Sequence, residues 1–170
     1  KLVAMGMDGV ILPPPLCDSE TVVRVLAASQ TPVVAVATGR PPPDASGVRI
    51  DDYEAARAMT RHIAGLGHRR IGFIKGHPNQ TASRQRFEGY LAALNEAQIP
   101  VDQALVRQGY FTYRSGLEAA EELLALPEPP TAIFASNDDM AAGVVAVAHK
   151  RHLDVPGDLT VCGFDDTALA

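Results

Sequence analysis

A chain of 170 residues, 46% of them hydrophobic and 21% charged, is long enough to bury a sizeable core, and its composition argues against intrinsic disorder. Its longest apolar runs, such as residues 31–37, are too short for a bilayer-spanning helix. The formal charge of −5, from 15 Lys and Arg against 20 Asp and Glu, makes the stretch a poor nucleic-acid binder by itself: only His68-Arg69-Arg70 and His149-Lys150-Arg151-His152 concentrate basic residues.

Taken in chain order, Asp8-Gly9 reads as a turn into a strand at 9–12. Asp18 or Ser19 caps a helix over 19–28, which carries apolar Val22, Val23, Val25 and Leu26. A strand at 33–37 follows, then the most linker-like stretch of the chain, 38–47, rich in Pro and Gly, which is read as a division between two subdomains. A helix over 53–66 carries Ala56, Met59, Ile63 and Leu66 and ends at Gly65 and Gly67, before a strand at 70–75. The helix over 82–97 carries Phe87, Tyr90, Leu91 and Leu94 and cannot continue past Pro100. A strand at 104–108, a helix over 115–126, a strand at 132–135, a helix over 138–152 closed off by Pro156, and a strand at 160–164 complete the sequence.

The strand segments are continuous runs rich in Val and Ile, the pattern of strands buried on both faces of a parallel sheet. Their alternation with helices predicts an α/β fold with a doubly wound parallel sheet, because each parallel crossover needs a helix. Such sheets bind ligands beyond the carboxyl ends of their strands, and polar residues gather there at 79–86, 110–113, 136–139 and 165–167. Cys17 and Cys162 have no Cys or His around them at metal-ligand spacing and read as buried free thiols, with a disulfide between them as the alternative.

Four positions stand out. In Asn137-Asp138 one residue caps the following helix; the cap is assigned to Asp138, leaving the Asn137 amide free to donate to and accept from a hydroxyl. Asp165-Asp166 lacks the third ligand or facing partner that a metal site or an acid/base pair requires, so Asp165 is read as a hydroxyl acceptor, against the alternative of a solvated turn. Arg84 and Arg86, two residues apart, lie on different helix faces; Arg86 is the one expected in the cleft, with a surface ion pair as the alternative. Phe111 at the cleft rim is suited to cover the apolar face of a sugar ring or a base, or else packs in the core. No Walker loop, His-Glu-x-x-His or Gly-x-Ser-x-Gly occurs, so no catalytic residue, metal or cofactor is expected.

The ordered string Asp8-Gly-Val-Ile-Leu12, Pro32-Val-Val34, Ile50-Asp-Asp52, His62-Ile-Ala-Gly-Leu-Gly-His-Arg-Arg-Ile-Gly-Phe-Ile74, Arg86-Phe-Glu-Gly-Tyr90, the run from Pro130 to Gly143, Val155-Pro-Gly-Asp-Leu159 and Gly163-Phe-Asp-Asp-Thr167 resembles the LacI/GalR family of bacterial transcription regulators over essentially the whole chain. The resemblance implies a two-lobed, type I periplasmic-binding-protein-like fold, here truncated, with residues 1–48 a partial amino-side lobe, 49–165 the carboxyl-side lobe and 166–170 the start of a crossover back. It implies a cytoplasmic homodimer that reaches operator DNA through a helix-turn-helix domain absent from this chain, with no membrane partner and no enzymatic activity. Its lobes would close on a small-molecule effector, expected to be a saccharide, and so change operator affinity. Carried over, the effector contacts fall on Arg86, Phe111, Asn137 and Asp165, with Asn79, Gln80 and Thr81 in a variable loop that tunes ligand choice. Where many sugar-binding members carry Asp, this chain has Ala37, which removes one hydroxyl acceptor. A periplasmic sugar-binding protein of a transport system shares the architecture and is the alternative.

Overall fold

The computed structural model describes residues 6–39 and 45–170. It divides into two compact units, one of Lys1–Asp51 with Asn79–Ala82 and one of Asp52–Pro78 with Ser83–Ala170. Both are α/β, and among the described residues every strand pairing is parallel. This is the mixed, parallel architecture expected of the fold.

The first unit holds a sheet ordered β1 (Val10–Leu12), β2 (Val33–Val36), β3 (Ser46–Val48), with helix α1 (Glu20–Ala28) between its first two strands. Ser19 is the α1 cap, its side chain accepting from the Val22 amide. Leu12, Cys17, Leu26, Val33 and Ala35 form the core of this unit, while Ile11 on β1 and Val48 on β3 are 71% and 61% exposed. Strand β3 corrects the linker reading of 38–47, of which residues 40–44 lie outside the described residues. Ser46 and Gly47 carry no apolar signal, and the strand is held by backbone pairing to β2 alone, Val34 opposite Ser46 and Val36 opposite Val48.

The second unit holds the sheet β5 (Val106–Gln108), β4 (Ile71–Lys75), β6 (Ala132–Ala135), β7 (Thr160–Cys162), in that spatial order. Strand pleating sends alternate side chains to opposite faces. Ile71, Phe73, Ala132 and Phe134 meet α2 (Asp52–Gly65) and α3 (Thr81–Glu96), and Ile74, Ile133 and Ala135 meet α4 (Tyr113–Leu123) and α5 (Asp138–Lys150). Tyr90 stacks on Phe73 with ring centroids 4.7 Å apart and donates its hydroxyl to the Ile71 carbonyl at 2.8 Å, so this large buried side chain leaves no polar atom unpaired. Helices α4 and α5 meet backbone to backbone: a Cβ on Gly116 would strike the Met140 carbonyl, and one on Gly143 would lie 2.7 Å from both the Leu117 amide and the Tyr113 carbonyl. Here glycine is required for close approach.

Local hydrogen bonding moved two element edges. Ala104 and Leu105, expected to open a strand, belong to a 3-10 turn, Gln103–Leu105, in which the Asp102 side chain accepts from the Ala104 amide; the strand starts at Val106. Helix α4 begins earlier than expected because Thr112 and Ser115 build a reciprocal capping box. Both cysteines are free, Cys17 buried and Cys162 half-buried rather than fully buried.

Candidate functional site

In the second unit the chain starts on the central strand β4, crosses to β5 on one side and returns to β6 and β7 on the other. That reversal falls at the carboxyl ends of β4 and β6, the place where a doubly wound sheet receives a ligand. The segments following all four strands supply the side chains found there.

Arg86, on the second turn of α3, is its centre. The guanidinium Nε donates to Asp52 Oδ1 at 2.8 Å, Nη1 donates to the Ser136 carbonyl, and Nη1 lies 3.6 Å from Asp165 Oδ1. Its side chain is 9% exposed and that of Asp52 5%, so this is a desolvated ion pair. The guanidinium carbon lies 3.6 Å from the centroid of the Phe164 ring and 5.8 Å from that of Phe111. Arg84 points elsewhere, to an exposed pairing with Glu88 at 3.4 Å.

Phe111 follows β5 with φ 60, a left-handed conformation rare for an aromatic residue. Its ring lies over Gly76, where any Cβ would overlap ring carbons. Asp165 and Asp166 follow β7 with φ 106 and 57. Left-handed residues therefore sit after both edge strands, in segments that each reach the Arg86 guanidinium, a form of strain that gathers at functional sites. Partial burial pushes the Asp165 carboxyl above its usual range; Arg86 pulls it back, while Asp138, Asp52 and Asp139 push it further up.

The cap assignment is corrected. Asn137, in extended backbone at φ −157, is the cap of α5, with Oδ1 accepting from the Met140 amide at 3.0 Å. Its Nδ2 donates to the Phe111 carbonyl at 3.2 Å, so the amide is engaged at both ends instead of free. Asp138, one residue inside the helix, reaches the other way and accepts from the Thr167 amide at 2.7 Å and hydroxyl at 3.0 Å. A cap belongs to the last non-helical residue, and the sequence alone does not say which of two adjacent polar residues that is.

Arg86, Phe111, Asn137 and Asp165 are thus brought together by direct contacts within one unit. Asn79, Gln80 and Thr81 fall in the other. There Asn79 is exposed and Gln80 and Thr81 half-buried, with the Thr81 side chain filling the space beside Gly39. Asp52, Ser136 and Phe164, which hold Arg86, were not singled out from the sequence. Asp52 carried one signal, an acidic residue opening a helix. Among the described residues no group of three or more His, Cys, Asp or Glu side chains could hold a metal ion, and no helix is long and apolar enough to cross a membrane.

Comparison with known proteins adds a second line of observation. Residues 60–170 match the periplasmic binding protein-like domain family. The chain is 32% identical over 167 residues to the HTH-type transcriptional repressor PurR of Actinobacillus pleuropneumoniae serotype 3 (strain JL03), covering 97% of this chain and 49% of that protein. It is 38% identical over 153 residues to catabolite control protein A of Priestia megaterium, covering 89% of this chain and 46% of the relative. A solved complex of the transcriptional regulator CelR with cellobiose superposes with a TM-score of 0.89 at 34% identity, over 99% of this chain and 52% of the other. The chain therefore spans about half the length of the relatives it matches.

Proposed function

This chain belongs to the periplasmic binding protein-like domain family, in the form carried by LacI/GalR-type regulators, and from that premise we propose that it is the effector-sensing part of a DNA-binding transcription regulator whose ligand is a saccharide. The observation that carries the ligand class is Arg86, fixed by Asp52 and the Ser136 carbonyl and facing Phe111 and Asp165. A guanidinium and a carboxylate 3.6 Å apart offer donors and acceptors at the spacing of neighbouring hydroxyls, and an aromatic ring beside them suits the C–H face of a pyranose. Asn137 acts in this reading by holding Phe111 in place.

The relatives are repressors and control proteins, which favours a cytoplasmic, homodimeric regulator over the periplasmic sugar-binding alternative and over an enzyme. Operator DNA would be reached through a helix-turn-helix domain outside this chain. The effector changes operator affinity only to the extent that it binds the two operator-affinity states differently. The test is titration of the full-length protein with cellobiose and a panel of mono- and disaccharides while operator binding is followed by fluorescence anisotropy. A saturable change in operator affinity is expected with at least one sugar and its loss in Asp165→Ala; sugar binding that leaves operator affinity unmoved would exclude the scheme.

A further inference from the structure

Charge is unevenly divided across the strand ends of the second unit. After β6 and β7 come carboxylates, Asp138, Asp139, Asp165 and Asp166, with Arg86 already engaged by Asp52 and Asp165. On β4 the last residue is a cation, Lys75, at a position where the preceding residues 71–74 are all buried. The residue is half-buried and its ammonium lies 4.0 Å from the centroid of the Phe87 ring; among the described residues no carboxylate pairs with it. An aromatic face leaves the three N–H donors of the ammonium unused, and an anion would satisfy them.

Lys75 is also built into the frame of the site. It stands between Ile74, whose carbonyl accepts from the Ser136 amide at 3.0 Å and hydroxyl at 2.6 Å, and Gly76, which lies under the Phe111 ring. Its own carbonyl accepts from the Gly109 amide at 2.9 Å, and Gln108 Nε2 donates to the Gly76 carbonyl at 2.6 Å. The backbone on both sides of it is therefore fixed. The residue that carries the charge cannot slide along its strand, and the ring under its ammonium belongs to the helical neighbour of Arg86.

We propose that Lys75 makes the site selective for an anionic sugar, receiving a carboxylate or phosphate at one end of a polyol whose hydroxyls reach Arg86 and Asp165. The inference rests on the saccharide reading above. The carboxylates after β6 and β7 fix the orientation, since they repel the charged end of the ligand and accept from its hydroxyls.

The test is isothermal titration calorimetry of the full-length protein with matched sets: glucose, galactose and mannose, each as neutral hexose, uronate and 6-phosphate, together with cellobiose and cellobionate. At least one acid is expected to bind about tenfold tighter than its neutral parent, the advantage shrinking with added salt. The uronate and phosphate arms separate the two anions. Lys75→Met is expected to abolish the preference, each acid binding no tighter than its neutral parent measured in the same variant, and Lys75→Arg to retain it. Neutral sugars binding as tightly as their acids, or a preference that survives Lys75→Met, overturns the inference and leaves the saccharide reading standing. Failure of every sugar, neutral and acid, defeats both.

Discussion

Replacing Arg86 by Met keeps most of the side-chain volume and removes the charge. Asp52, whose side chain is only 5% exposed, then loses the Nε donor at 2.8 Å and remains as a buried carboxylate without its counter-ion. Breaking one side of a buried pair costs about 3–5 kcal/mol, because the stranded charge stays desolvated. Against a total stability of about 5–15 kcal/mol this lowers Tm by about 10 °C. Asp52→Asn alone strands less, since Arg86 keeps the Ser136 carbonyl and the nearby Asp165, and about 1–2 kcal/mol is expected. The double variant Arg86→Met/Asp52→Asn removes both charges of this pair and is expected within about 2 kcal/mol of the parent. Urea unfolding followed by far-ultraviolet circular dichroism measures all four proteins, as the chain has no Trp. A cost below about 1 kcal/mol for Arg86→Met, or a double variant as unstable as the sum of the singles, would refute the stranded-charge argument.

Asp165→Asn is expected to stabilise the protein at neutral pH while weakening sugar binding. Because the folded carboxyl is raised above its usual range, its favourable contribution is present below the ordinary carboxylate value and is lost as pH rises through the raised one. Thermal melts across that window should show the slope in the parent and not in Asp165→Asn; sugar affinity should run the opposite way, falling as Asp165 takes up its proton. Asn137→Ala should cost about 1–2 kcal/mol from the lost cap, whereas Asn137→Asp should restore stability in chemical denaturation without restoring the donor to Phe111. Gly76→Ala should cost about 1–3 kcal/mol by overpacking against the Phe111 ring, and calorimetry should show that cost largely gone in a Phe111→Ala background.

Much of this was legible in the sequence because the strands of the second unit are buried on both faces. Runs such as Ile71 to Ile74 and Ala132 to Ala135 have no other stable home, and the polar residues following them mark the carboxyl ends. What could not be read is what depends on direction. Asn137 and Asp138 are adjacent and chemically similar, and only the angle at which the chain enters α5 decides which one caps. Asp52, Ser136 and Phe164 hold Arg86 from sequence separations of 34, 50 and 78 residues, which no periodicity reports. The strand Ser46–Val48 was hidden for the opposite reason: its pairing uses backbone atoms, which every residue possesses.

The first turn of α5 moors two loops at once, Phe111 through the side chain of Asn137 and Thr167 through that of Asp138. Both loops contain residues in left-handed backbone, Phe111 in one and Asp165 and Asp166 in the other. That one helical turn therefore ties together two segments that are 56 residues apart in the chain, so loosening it is expected to release an anchor of each at once, and a guest that steadies one is expected to steady the other.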